Sequence, residues 1–213
     1  MGSRFGIILA TLVIVFGGII FFTKKDAEAP TTSDGQPIQA SNHIRGGGST
    51  GVVLTEYGDF ECPACGQYFP VVEELYKKYE DKITFQFRHF PLRQIHPNAM
   101  LAHRASEAAS NQDKFWEFYE SLYNTQSSWK SLPDPSGLFR SYAESLKLDM
   151  TKYDSDVKSE ATNGIINADI VEGQKLGVTG TPTFFIDGKK IENPRDLESF
   201  TKLIEEAIAA KAN

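Results

Sequence analysis

Apolar and polar positions change period several times along this chain, and each change marks an element. Val52-Val53-Leu54 is a short unbroken apolar run, the pattern of a strand buried on both faces. Phe69, Val72, Leu75, Tyr76 and Tyr79 then recur at helical spacing. Next, Ile83, Phe85 and Phe87 alternate with Thr84, Gln86 and Arg88, which is strand periodicity. Strand, turn, helix and strand make a βαβ crossover, which predicts that the two strands pair in parallel.

The middle of the chain reads as helical. Pro97, after His96, stands at a first helical position. Phe115, Phe118 or Tyr119, and Leu122 share one helix face. Two more helical stretches are predicted, from about Ser136 to Leu146 and from about Lys152 to a stop at Gly177. The segment "GTPTFFIDGKKI" predicts a strand and hairpin turning at Asp187-Gly188. A last helix follows, with Pro194 at N1 and Leu197, Phe200, Leu203 or Ile204, and Ile208 along one side.

The N-terminus differs in kind. Phe5 to Phe22 is eighteen residues without a charge, about 27 Å as a helix, close to the roughly 30 Å hydrocarbon core of a bilayer. Residues 1–25 are therefore expected to be an uncleaved membrane anchor. The small-x-small triplet Ala27-Glu28-Ala29 leaves cleavage after Ala29 open. Residues 26–49, rich in Pro, Gly, Ser and Thr and without apolar period, read as a flexible linker. Residues 50–213 then form one folded domain carrying a helical insertion over about 93–170.

Charge narrows the function. The chain carries a formal net charge of −6 and no Lys/Arg run longer than two, which speaks against nucleic acid as a partner. No glycine-rich phosphate loop follows a strand.

The only two cysteines, Cys62 and Cys65, stand in "DFECPACGQYFP". As a structural clip, a bridge closing four residues removes only about 2 kcal/mol of unfolded-state freedom. A metal site needs about four ligands, usually with a second close pair. His89, His96 and His103, seven apart, supply none, and each has an ordinary structural explanation. No metal is expected. A redox pair fits better. Where a strand ends and a helix begins, backbone N–H groups and the helix dipole favour a thiolate at Cys62. An unperturbed thiol near pKa 8.5 is only about 3% ionised at pH 7, whereas a pKa near 6 makes it about 90%. Cys65, one turn into the helix, is shielded and placed to resolve a mixed disulfide. Pro63 lacks an N–H and suits the first turn.

"CPAC" between strand and helix, the helical block after the second strand, and "GTPTFFIDG" opening the last hairpin together resemble the DsbA-like thiol:disulfide oxidoreductases. "GDFECPAC" and "FRHFPL…HPNA" are particularly similar to that family's membrane-anchored bacterial members. The likeness spans roughly Thr50 to Ala210. It implies an α/β fold of the thioredoxin type with an inserted helical subdomain, preceded here by an N-terminal transmembrane helix. It also implies that Cys62 attacks, that Cys65 resolves, and that Pro182 is a cis-proline beside them. Thr181 would offer its backbone to a substrate peptide. Glu56 matches a buried acid that shuttles the Cys65 proton, although strand alternation could instead turn it to solvent. The strongest oxidants of the family carry a histidine where this chain has Ala64, and Glu61 precedes Cys62; both point to a milder pair.

The expected function is an extracytoplasmic oxidase that donates the Cys62–Cys65 disulfide to exported proteins. A quinone-linked membrane partner would re-oxidise it, and the redox disulfide would be its only prosthetic element. Two readings stay open: a reductase or isomerase of lower potential, and a non-enzymatic tethered module that binds peptides.

Overall fold

The computed structural model describes residues 30–32 and 34–212. The expected anchor, Phe5 to Phe22, lies outside them; among the described residues no helix is long and apolar enough to cross a membrane.

Five strands make one sheet: β1 (His43–Arg45), β2 (Val52–Gly58), β3 (Ile83–His89), β4 (Thr183–Ile186) and β5 (Lys189–Lys190), in the order β1-β3-β2-β4-β5. The crossover helix α1 (Pro63–Tyr79) joins β2 to β3, which pair in parallel from Val52 opposite Ile83 to Gly58 opposite His89. The remaining pairs are antiparallel. Asp187 and Gly188, both at positive φ (50° and 76°), close the β4–β5 hairpin.

Alternation along β2 divides the core. Val52 and Leu54 pack with Leu75 of α1 and with Phe200 and Ile204 of α8 (Leu197–Lys211). Tyr57 turns the other way, into a second cluster with Phe90, Phe185, and Ile166 and Ile170 of α7 (Glu160–Lys175). Glu56 shares the face of Leu54, so its position is settled against solvent: it is 2% exposed.

Between β3 and β4 stand α2 (Ala99–Ser110), α3 (Phe115–Asn124), α4 (Gln126–Trp129), α5 (Ser136–Ser145), α6 (Met150–Asp156) and α7. The single helix expected from Lys152 to Gly177 is two. Ser159 starts α7 by accepting the Thr162 N–H on its hydroxyl, 3.1 Å away. Two other predicted starts lie downstream of a proline. α2 follows Asn98 rather than beginning at Pro97. α8 follows Asp196, whose capping box with Ser199 places the start three residues beyond Pro194.

The expected linker over residues 26–49 needs correction. Its C-terminal part is built into the domain, because β1 covers the edge of β3. The Ser41 N–H and hydroxyl donate to the Asp169 carboxylate at 2.8 and 2.5 Å. Arg45 pairs with Glu73 and lies over the rings of Tyr76 and Trp116, 4.1 and 4.3 Å from their centroids. The chain then turns at Gly46 (φ 103°), where a Cβ would collide with the Ile83 carbonyl oxygen, so only glycine fits. A three-residue strand is too short to show a period, which is why the sequence pattern passes over it.

Candidate active site

The C-terminal end of β2 delivers the chain into a tight turn, Asp59 to Cys62, and Pro63 opens α1. Cys62 is the N-cap residue, in extended backbone (φ −65°, ψ 121°); its carbonyl accepts the Gly66 N–H at 3.1 Å. That geometry leaves its sulfur beside the unpaired N–H groups of the first turn. Both cysteines are free thiols. Cys62 is 6% exposed and Cys65 fully buried.

The Thr181–Pro182 peptide, which is cis, lies across from this turn. Cys62 Sγ stands 3.4 Å from the Thr181 carbonyl oxygen, to which its protonated form donates. The loop is fixed by the Asn193 side chain, which donates to the Pro182 carbonyl at 2.8 Å, and by the Thr183 hydroxyl, which donates to that of Gly180 at 2.8 Å. Cys62, Pro63, Ala64, Cys65, Thr181 and Pro182 thus meet at one place, with Glu56 beneath.

The two thiols are driven in opposite directions. The Cys65 thiol is the strongest influence holding Cys62 down, to about 5; burial opposes it, while the Thr181 side chain and the N–H groups of Cys65 and Ala64 reinforce it. Cys65 is pushed well above its ordinary value by burial, by its hydrogen bond to Cys62 and by the charge of Glu56. Burial raises Glu56 to about 8, with the charge of Glu73 adding and that of Arg45 opposing. Glu56 Oε2 is buried without a hydrogen-bond partner among the described residues. At pH 7, then, Cys62 is a thiolate, Cys65 a thiol and Glu56 a protonated acid.

Two residues that sequence reasoning missed, Asp59 and Gln126, support the turn. Asp59 is wholly buried, and its backbone N–H donates to Cys65 Sγ at 3.5 Å. Its carboxylate accepts the N–H groups of Glu61 and Leu92 at 2.9 and 2.8 Å and meets His96 Nδ1 at 2.7 Å. Burial works against the Asp59 charge, but His103 and His96 outweigh it and hold the carboxyl well below the usual range. The hydrogen bond to Asp59 in turn raises His96, as do the nearby charges of Cys62 and Glu61. An imidazole that the cysteine dipeptide lacks at Ala64 therefore stands near the turn from the loop after β3. Glu61 is turned to the Asn98 N–H, 2.7 Å away. Gln126, at the start of α4, donates from its amide nitrogen to the carbonyls of Phe60 and Cys62, at 2.8 and 2.9 Å. Gly66 makes room for it: a Cβ there would lie 2.5 Å from Gln126 Oε1. "HPNA" carried a signal for His96; nothing local marks Asp59 or Gln126.

Known proteins resemble this chain in sequence and fold. A family model described as thioredoxin matches residues 39–206. Among curated proteins, a sodium/proton antiporter, NhaA 3 of Salinispora tropica, is 36% identical over 169 residues, 79% of this chain and 25% of that protein. NhaA 1 of a Mycobacterium species is 31% identical over 210 residues, 95% of this chain and 33% of that protein. The chain thus spans a quarter to a third of the length of these relatives. Among solved structures, a variant of α-DsbA1 of Wolbachia pipientis with two cysteines replaced by alanine superposes with a TM-score of 0.70 at 25% identity, covering 81% of this chain and 92% of that one. Oxidised BdbD of Bacillus subtilis gives 0.71 at 24% identity, with coverage of 80% and 96%.

Proposed function

Since this chain belongs to the thioredoxin family, among its DsbA-like protein disulfide oxidoreductases, we propose that it is an oxidase that donates the Cys62–Cys65 disulfide to exported proteins. The observation that carries this direction is the opposed pair of thiols. A Cys62 thiol held at about 5 stabilises the reduced enzyme at neutral pH, and whatever stabilises the dithiol makes the disulfide more oxidising.

The exchange follows from the geometry. A substrate thiolate attacks Cys62 Sγ of the oxidised enzyme, and the bond to Cys65 Sγ breaks. Cys65 leaves as a thiolate in surroundings that disfavour its charge, and protonated Glu56 supplies the proton. A second substrate thiolate then attacks the substrate sulfur of the mixed disulfide and expels Cys62, a good leaving group because its thiolate is stable. The substrate gains a disulfide, and the enzyme ends as the dithiol. Thr181, at the cis-proline, offers its backbone to an extended substrate peptide.

The uncharged run Phe5 to Phe22 supports a domain held outside the cytoplasm by a membrane anchor. Turnover then requires an electron acceptor, and a quinone-linked membrane protein fits that position. The deciding experiment is the reduction potential, equilibrated against glutathione and read by thiol trapping. A value above about −150 mV is expected; one near or below about −250 mV would make the protein a reductase.

A further inference from the structure

Away from the thiols, a second set of side chains meets under the β1–β3 edge. His43 of β1 lies opposite Phe87, two residues along β3 from His89, while His103 and Glu107 share a face of α2 at i, i+4. All four are buried, His89 and His103 completely. His43 stacks flat on Phe115, centroids 3.5 Å apart, which fixes its ring plane. His43 Nε2 contacts Glu107 Oε1, and His89 Nε2 reaches the same oxygen at 2.5 Å. His89 Nδ1 meets His103 Nδ1 at 2.5 Å, and His103 Nε2 faces Asp59 Oδ1 at 3.8 Å.

A count of donors leaves this row one hydrogen short. Glu107 to His89, His89 to His103 and His103 to Asp59 are three contacts between atoms that each carry a lone pair. Two neutral imidazoles bring one N–H each. One contact must go without, and the geometry shows which: His103 Nε2 is a buried nitrogen with no hydrogen-bond partner among the described residues.

We propose that His43, His89 and Glu107, whose ligand atoms all lie within 4.8 Å of one another, bind a divalent transition-metal cation of the zinc class. The cation takes the lone pairs of His43 Nε2 and His89 Nε2 together with a Glu107 oxygen. His89 then carries its hydrogen on Nδ1 and donates to His103 Nδ1; His103 carries its own on Nε2 and donates to Asp59. Every nitrogen of the row is used, and His103 and Asp59 become the outer partners that orient a ligating histidine. Spacing agrees. His43 Nε2 and His89 Nε2 are 3.3 Å apart, and two nitrogens each about 2.0–2.1 Å from a tetrahedral zinc stand about 3.3 Å apart. Glu107 needs only to draw back by about 1 Å to reach a zinc–oxygen distance near 2.0–2.2 Å. Imidazole nitrogens select zinc, copper or nickel over calcium or magnesium, which prefer all-oxygen sites. The three ligands come from β1, β3 and α2, so the ion would clip the N-terminal strand to the domain.

The test uses the full chain with Cys62 and Cys65 first oxidised to the disulfide, so that no thiolate competes. It is incubated with excess zinc chloride, desalted, and assayed for metal by mass spectrometry and at the zinc X-ray absorption edge. About one zinc per chain is expected, ligated only by nitrogen and oxygen with two imidazoles. His43→Gln and Glu107→Gln should each retain less than about a tenth of that, and Glu206→Gln, on the exposed face of α8, should retain it all. Wild type holding less than about a tenth of an equivalent, or a sulfur ligand in its spectrum, would overturn the assignment. So would zinc unchanged in both ligand variants, or lost equally in Glu206→Gln. Should the ligand variants fail to fold by circular dichroism, the imidazole count in the wild-type spectrum decides.

Discussion

The low pKa of Cys62 rests first on its neighbour's thiol, and replacing Cys65 tests that ordering. A hydrogen bond to a charged group is worth about 1.5–3 kcal/mol, which is about 1–2 pKa units. Cys65→Ala deletes the donor and should move Cys62 from about 5 to about 6–7. Cys65→Ser keeps an O–H in the same place and should leave it within about half a unit of the wild type. At pH 6 the thiolate fraction would fall from about 90% to between about 50% and 10% in the alanine variant alone. Thiolate absorbance at 240 nm against pH gives the pKa directly. Alkylation rates with iodoacetamide check it independently, since only the thiolate reacts. Equal pKa values in the alanine and serine variants would refute the reasoning, leaving Thr181 and the N–H groups of the first helical turn as the causes.

Three further outcomes are expected. Glu56→Gln removes the acid that protonates the departing Cys65; reduction of the oxidised enzyme by a dithiol peptide should slow about 10- to 100-fold at pH 7 and lose its inflection near pH 8, as stopped-flow fluorescence would show. Gln126→Ala frees two buried carbonyls and should lower stability by about 1–3 kcal/mol in urea. Finally, a Cys62 thiol lowered from 9.0 to about 5 contributes stability to the reduced form that is complete above the unfolded value and lost as pH falls through the folded one. Reduced protein should therefore gain about 2 kcal/mol over oxidised protein between pH 5 and pH 7. Urea unfolding of both forms measures it, and a difference that stays flat over that interval would contradict the assigned pKa.

What the sequence revealed, and what it hid, divides along a physical line. α1 and β3 announce themselves because each buries one face over seven residues or more, long enough for a period to repeat, and β2 does so by its unbroken apolar run. The CxxC turn and Thr181-Pro182 are legible because their chemistry depends on local backbone. β1 is not legible, being three residues whose role is to satisfy the edge of another strand. The helix starts shift because Asp196 caps α8 beyond Pro194 and because the Asn98 N–H ahead of α2 goes to the distant Glu61 carboxylate. Asp59, Gln126 and Glu107 are ordinary polar residues in any linear reading. Each acts through partners more than thirty residues away, or in Glu107's case eighteen and sixty-four.

The Gln126 amide gives the helical block a mechanical connection to the sulfur. Its two hydrogen bonds end on the carbonyls of Phe60 and Cys62, so any load that draws α4 away from the sheet stretches the backbone of the nucleophile itself. A protein client resting on the helices would be weighed, in effect, at the point of chemistry. Grafting a foreign helical block onto this sheet would change the reactivity of Cys62 along with the choice of client, unless an amide were kept at position 126.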